Sequence, residues 1–255
     1  MFSFTSTTAA APPSPCAYLA AQLDAAPPGP VFLVSYPTAG PGPLKDVAFL
    51  YDNAAAAVAL VGCGQIPKAR RVGDAILVAL GHDRYWRDGR LRDAYLAGAV
   101  QKPVKLSGWW DNRQNRWLED GYQTASDTGN MAWAMLALLA LDRSSNDPRY
   151  RAGAARIGAW VERWRDGRGA GGFTGGTFGG EPSPAALTWK STEHNADLVA
   201  AFAALAHTTG DAHWLGPARA AEALVRAMWR PACRCFAVGT GLDGVTSNPM
   251  LALDA

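Results

Sequence analysis

Two acidic residues, Asp52 and Glu193, each stand at the head of an almost wholly apolar, alanine-rich segment. A pair of carboxyl groups is enough for general acid–base chemistry, one protonated to give a proton and one ionised to take it. An apolar helix beneath Glu193 would raise its pKa and suit it to be the acid. Asp52 is then the base, or a carboxylate that positions the substrate. Around them, at corresponding heads, lie groups able to hydrogen-bond substrate hydroxyls: Asn53, Asn130, His194 and Asn195, with Asp127 just ahead of Asn130. Each acid also has a purely structural reading, because the positive end of a helix favours a carboxylate in its first turn. Asp127 and Ser191 are equally suited to capping.

The elements that must position these residues come as a repeat. Tyr51-Asp52-Asn53, Thr128-Gly129-Asn130 and Glu193-His194-Asn195 each open an apolar stretch, and their asparagines lie 77 and 65 residues apart. A helix that is hydrophobic all round is buried all round, so these are inner helices. Each is followed by an amphipathic segment, at Pro67–Leu80, Pro148–Trp164 and Leu215–Trp229, with arginines on one side and Ile, Leu, Val or Trp on the other. These are outer helices. Helical pairs at this spacing stack, each covering the apolar face of its neighbour.

The expected fold class is all-α: an incomplete α/α toroid of about three helical hairpins, with short β-hairpin or glycine-rich connectors. Asp88-Gly89, inside Tyr85–Tyr95, signals one β-hairpin, while Gly171–Gly180 and Cys233–Gly244 read as irregular connectors. Residues 31–255 form the domain, and residues 1–30 read as a disordered or poorly packed lead without a signal peptide. Leu253-Asp254-Ala255 repeats the register of Tyr51-Asp52-Asn53, so the chain is expected to stop where a fourth hairpin begins, with the second half of the ring absent.

Composition removes several classes of function. The net charge is +2 and the basic residues are scattered, so no basic face is available for a phosphate backbone and nucleic acid is excluded. No window reaches the roughly 18 apolar residues of a membrane span. Cys233-Arg234-Cys235 is too closely spaced for a zinc knuckle, and no metal or cofactor is expected. The four cysteines read as isolated buried or turn residues rather than a disulfide framework, which leaves the compartment open. His82, His207 and His213 read as surface histidines.

Tyr51-Asp52-Asn53, Thr128-Gly129-Asn130-Met131-Ala132-Trp133-Ala134 and Ser191-Thr192-Glu193-His194-Asn195 carry a resemblance over residues 46–255. The chain resembles the six-hairpin, (α/α)6-toroid glycosidase group, bacterial members in particular. The resemblance implies a carbohydrate substrate and, for most of the group, hydrolysis, with some lyases and epimerases. Glycosidic cleavage needs an acid for the leaving oxygen and a second carboxylate, the roles given above to Glu193 and Asp52. Trp109, Trp110 and Glu119 lie in a long aromatic loop that reads either as a substrate wall or as a plug at a hairpin junction. Two other functions stay open. A sugar epimerase or isomerase would prefer paired histidines, and only His194 stands at a head. A non-catalytic glycan-binding or inert helical-repeat fragment would explain the half ring, whose open hairpin edges could also support self-association.

Overall fold

The computed structural model describes residues 14–251. Seven helices lie among the described residues: α1 (Pro15–Ala25), α2 (Leu50–Gly62), α3 (Ile66–His82), α4 (Thr128–Ser145), α5 (Pro148–Val161), α6 (Thr192–Thr209) and α7 (Leu215–Met228). From α2 onward they pair as hairpins, α2 with α3, α4 with α5 and α6 with α7, while α4 also packs between α2 and α6. α4 is the most deeply buried of the inner helices, its apolar run covered from Met131 to Leu141 apart from Trp133 and Leu136. In α3 the stripe Val72, Ile76, Ala79 and Leu80 turns to the core, as an amphipathic outer helix requires.

Local signals set the boundaries. Proline opens α3 and α5, where its missing N–H costs nothing. Asp147 caps α5 by accepting from Arg149 N–H, and Ser191 caps α6 by accepting from His194 N–H. Left-handed residues end two inner helices, Asn146 after α4 and Gly210 after α6. A 3-10 turn over Glu162–Trp164 extends α5 to the residue expected from the sequence.

The connectors depart from the expectation. Asp88-Gly89 makes a turn but no β-hairpin; Ala94–Leu96 instead pairs antiparallel with Val47–Phe49. The hairpin lies further on, where Trp109–Asp111 pairs with Arg116–Leu118. Ser126–Asp127, just before α4, pairs with Gly176–Phe178, which pairs in turn with Ala185–Leu187. Two of these four pairings, Val47–Phe49 with Ala94–Leu96 and Ser126–Asp127 with Gly176–Phe178, join segments distant in sequence, so local alternation could not reveal them. The fold is mainly helical, with small sheets stitching the connectors together.

The lead is folded from residue 14. Leu23 of α1 is fully buried, and Arg71 of α3 donates to the carbonyls of Leu23 and Gly29. Cys16 and Cys63 form a disulfide between α1 and the end of α2, and Cys233 pairs with Cys235. The cysteines are thus bonded rather than isolated. Their pairing follows from α1 packing on α2, which spacing alone does not encode. Residues 1–13 and the fourth-hairpin start at residues 253–255 lie outside the described residues.

Candidate active site

The inner-helix heads share one construction. Asn53 Oδ1 accepts from Leu33 N–H at 2.7 Å, while its Nδ2 donates to the carbonyls of Leu33 and Phe49, each at 3.0 Å. Asn195 repeats this arrangement. Its Oδ1 accepts from Phe173 N–H at 2.8 Å, and its Nδ2 donates to Phe173 O at 3.0 Å and Ser191 O at 2.8 Å. Each amide is buried and pins an upstream connector to the first turn of its helix. Expected as substrate contacts, Asn53 and Asn195 are placed by the structure as fasteners, with their amides committed to backbone.

The middle repeat differs by one residue. Four positions after its N-cap, where α2 has Asn53 and α6 has Asn195, α4 has Met131, whose Sδ receives Leu91 N–H at 3.4 Å. Asn130 stands one place earlier. The three asparagines aligned in sequence are therefore not equivalent, and Asn130 turns toward the cleft while the other two do not.

That cleft has a volume of about 360 Å³ and lies over the heads of α2, α4 and α6. Each helix contributes the residues two and three places beyond its N-cap: Tyr51 and Asp52, Gly129 and Asn130, Glu193 and His194. Tyr36, Phe49 and Tyr122 add aromatic walls, and Asp127 and Asp197 add two more carboxyls. Asp52 is exposed, whereas Glu193 and His194 are half-buried. Trp133 Nε1 donates to Asp197 at 3.1 Å, and its ring packs on Tyr51 with centroids 5.0 Å apart.

His194 retains some surface but is closely ringed. Its Nδ1 lies 3.4 Å from Thr128 Oγ1, and its ring stacks obliquely on Trp189. Desolvation lowers its pKa to about 4, so the imidazole is neutral at pH 7. Trp109, Trp110 and Glu119 do not line the cleft. Trp110 pairs with Trp117 across the hairpin, and Glu119 forms a two-pronged ion pair with Arg84 at 2.6 Å.

One residue of the site escaped the sequence reading. Asp93 is completely buried between the starts of α2 and α4, with its carbonyl accepting from Leu50 N–H and its amide donating to Ala125 O. Its Oδ1 accepts from Asn130 Nδ2 at 2.7 Å and from Asp127 N–H at 2.8 Å. Its Oδ2 is buried without a hydrogen-bond partner. Neighbouring Arg92 gives its guanidinium to Asp83 instead, at 2.8 and 3.0 Å. Burial, reinforced by Asp127, holds the Asp93 carboxyl well above the usual carboxylate range. Burial also raises Asp127 to about 7. The available signal was the charged pair Arg92-Asp93 inside the otherwise apolar stretch Leu91–Leu96.

Asp127 is fixed by its strand. Gly176 pairs with it at φ 99°, and a Cβ on that glycine would lie 2.3 Å from Ser126 O. Only glycine permits this close approach. Among the described residues, no group of three or more His, Cys, Asp or Glu side chains is placed to hold a metal ion.

No protein-family model matches the chain, and no curated protein matches it in sequence. Solved structures do match it in fold. Cellobiose 2-epimerase from Spirochaeta thermophila aligns with a TM-score of 0.58 at 16% identity, covering 91% of this chain and 58% of that one. Endoglucanase Cel10 from Klebsiella pneumoniae, a family 8 glycosyl hydrolase, gives 0.55 at 13% identity, covering 89% and 64%. A GH76 α-mannanase from Bacteroides thetaiotaomicron gives 0.54 at 12% identity, covering 82% and 52%. The chain thus spans little more than half the length of these structures. At such identities the likeness is one of fold alone: the chain shares its stacked helical hairpins with these solved structures.

Proposed function

We propose that the protein is a carbohydrate-active enzyme that hydrolyses glycosidic bonds in an oligo- or polysaccharide by carboxyl acid–base chemistry. One observation carries the reading: the heads of α2, α4 and α6 bring Asp52, Asp127 and Glu193 to a single cleft walled by tyrosines and phenylalanine. Aromatic faces suit the apolar faces of sugars, while Asn130 and neutral His194 offer hydrogen bonds to hydroxyls. Asp52 and Glu193, the more accessible carboxylates, form the catalytic pair that glycosidic cleavage requires. The test is turnover on a panel of oligosaccharides by wild type, Glu193→Gln and Asp52→Asn. Unchanged rates in both variants remove the pair.

A second reading is sugar epimerisation, favoured by the uncharged imidazole of His194 at the cleft wall, available to accept a proton. NMR of the same reactions separates the two, since epimerisation inverts a centre without releasing a new reducing end. Sugar binding without any product points to a non-catalytic glycan-binding protein.

A further inference from the structure

The cleft holds two carboxyls besides Asp52 and Glu193, namely Asp127 and Asp197, and Trp133 donates to the latter. Asp127 occupies the N-cap of α4, yet its side chain makes no capping hydrogen bond. Burial raises its carboxyl to about 7. The residue is 7% exposed, and that remaining surface opens on the cleft. Behind it, Asp93 Oδ1 touches the Asp127 backbone N–H, and Asp93 Oδ2 is buried and unpartnered.

Two neighbouring carboxyls shielded from water do not both ionise. The groups facing them offer little relief. Arg92, on the same segment as Asp93, is bound to Asp83. Glu193, uncharged His194 and Asp197 come from α6, Asp52 and Tyr51 from α2, and Tyr122 and Tyr36 from loops. Among the described residues, no lysine or arginine lines the cleft. The pair therefore retains a proton where each exposed carboxylate would have lost one.

Resting on the reading of the cleft as a carbohydrate-cleaving site, we propose that Asp127, in place of Glu193, is the proton donor of the reaction. Asp127 gives its carboxyl proton to the glycosidic oxygen as the C1–O bond breaks, and the bonding electron pair leaves with that oxygen. Water forms the new bond at C1 and yields its proton to Asp52 or Glu193. That proton exchanges with solvent, and Asp127 is reprotonated. One glycoside and one water become two hydroxyl products.

The test uses glycosides of the sugar identified by the panel, differing only in leaving group. Asp127→Asn lowers kcat/KM on the natural glycoside about 10²- to 10⁴-fold, the usual worth of general acid catalysis. On the corresponding glycosyl fluoride, whose departure needs no proton donor, the loss is below about tenfold. The wild-type kcat/KM falls through an alkaline limb near pH 7, and this limb is absent in Asp127→Asn. In wild type the limb is present on the natural glycoside and absent on the glycosyl fluoride. Equal losses on both leaving groups, or an alkaline limb that survives in Asp127→Asn, overturn the proposal. Should Asp127→Asn fail to fold, a wild-type alkaline limb as steep on the glycosyl fluoride as on the natural glycoside overturns it instead. A wild type inactive on every glycoside removes the hydrolytic reading itself, and this inference with it.

Discussion

The imidazole of His194 occupies the space that a side chain at Gly129 would need: a Cβ there would lie 2.4 Å from His194 Cδ2 and 2.8 Å from Cγ. The first turns of α4 and α6 meet through this contact, which fixes the wall of the cleft between Asn130 and Glu193.

Gly129→Ala therefore sets two effects against each other. Alanine stabilises a helix by about 1 kcal/mol relative to glycine. Overpacking against a confined ring costs about 1–3 kcal/mol. The expected outcome is a net loss of about 1 kcal/mol in chemical denaturation, with a displaced His194 resonance in NMR spectra. A variant more stable than wild type with an unmoved resonance contradicts the contact.

Asp127 makes stability depend on pH with a definite sign. Its carboxyl titrates near 7 in the folded chain against a reference of 3.8. Between those values the folded state holds a proton that the unfolded state has lost. Stability therefore falls as pH rises through this window, by at most about 4 kcal/mol for three units. His194 opposes it, with a folded value of about 4 against 6.5, so its contribution rises with pH over that interval. Asp93, also held above the usual carboxylate range, adds to the decline with the same sign as Asp127, so wild type loses stability on balance as pH rises through this window. Measured against wild type by urea denaturation, Asp127→Asn gains stability steadily from pH 4 to 7; a flat difference would sink the assignment.

Asn53 and Asn195 predict matched losses. Alanine at either site leaves a buried connector N–H and the facing carbonyls unpaired, costing about 2–4 kcal/mol. Asn195→Asp is expected to be at least as harmful, because a carboxylate would face the carbonyl oxygens of Phe173 and Ser191. Melting of the variants checks both. An Asn195→Asp protein as stable as wild type would contradict the hydrogen-bond directions.

The two disulfides should differ widely in effect. Cys16–Cys63 closes a sequence separation of 47, whereas Cys233–Cys235 closes one of 2. Chain-entropy arguments give the longer loop about 4 kcal/mol. Cys16→Ser with Cys63→Ser should reproduce nearly all of the drop in melting temperature caused by a reductant, and a dominant loss from the Cys233 and Cys235 variants would reverse this ranking.

The helices were legible in the sequence because their signals are local: apolar runs for α2, α4 and α6, prolines at the starts of α3 and α5, and arginine faces on the outer helices. The cleft was legible through the heads, and Asp52, Asp127, Asn130, Glu193 and His194 do line one cavity. What stayed hidden depends on distant partners. Asp93 gains its importance from burial under two helix starts, and nothing beside it in the chain announces that. Asn53 and Asn195 looked like ligand contacts because a polar residue at a helix head has two possible uses. Which use applies depends on a connector about 20 residues upstream.

The exchange of an amide for a thioether at Met131 has a dynamic consequence. Leu33 and Phe173 give their N–H groups to amide oxygens, whereas Leu91 gives its N–H to a sulfur, a weak acceptor. Of the three side-chain fastenings, the one to Leu91 has the weakest acceptor. Amide exchange at Leu91 should therefore outpace that at Leu33 and Phe173.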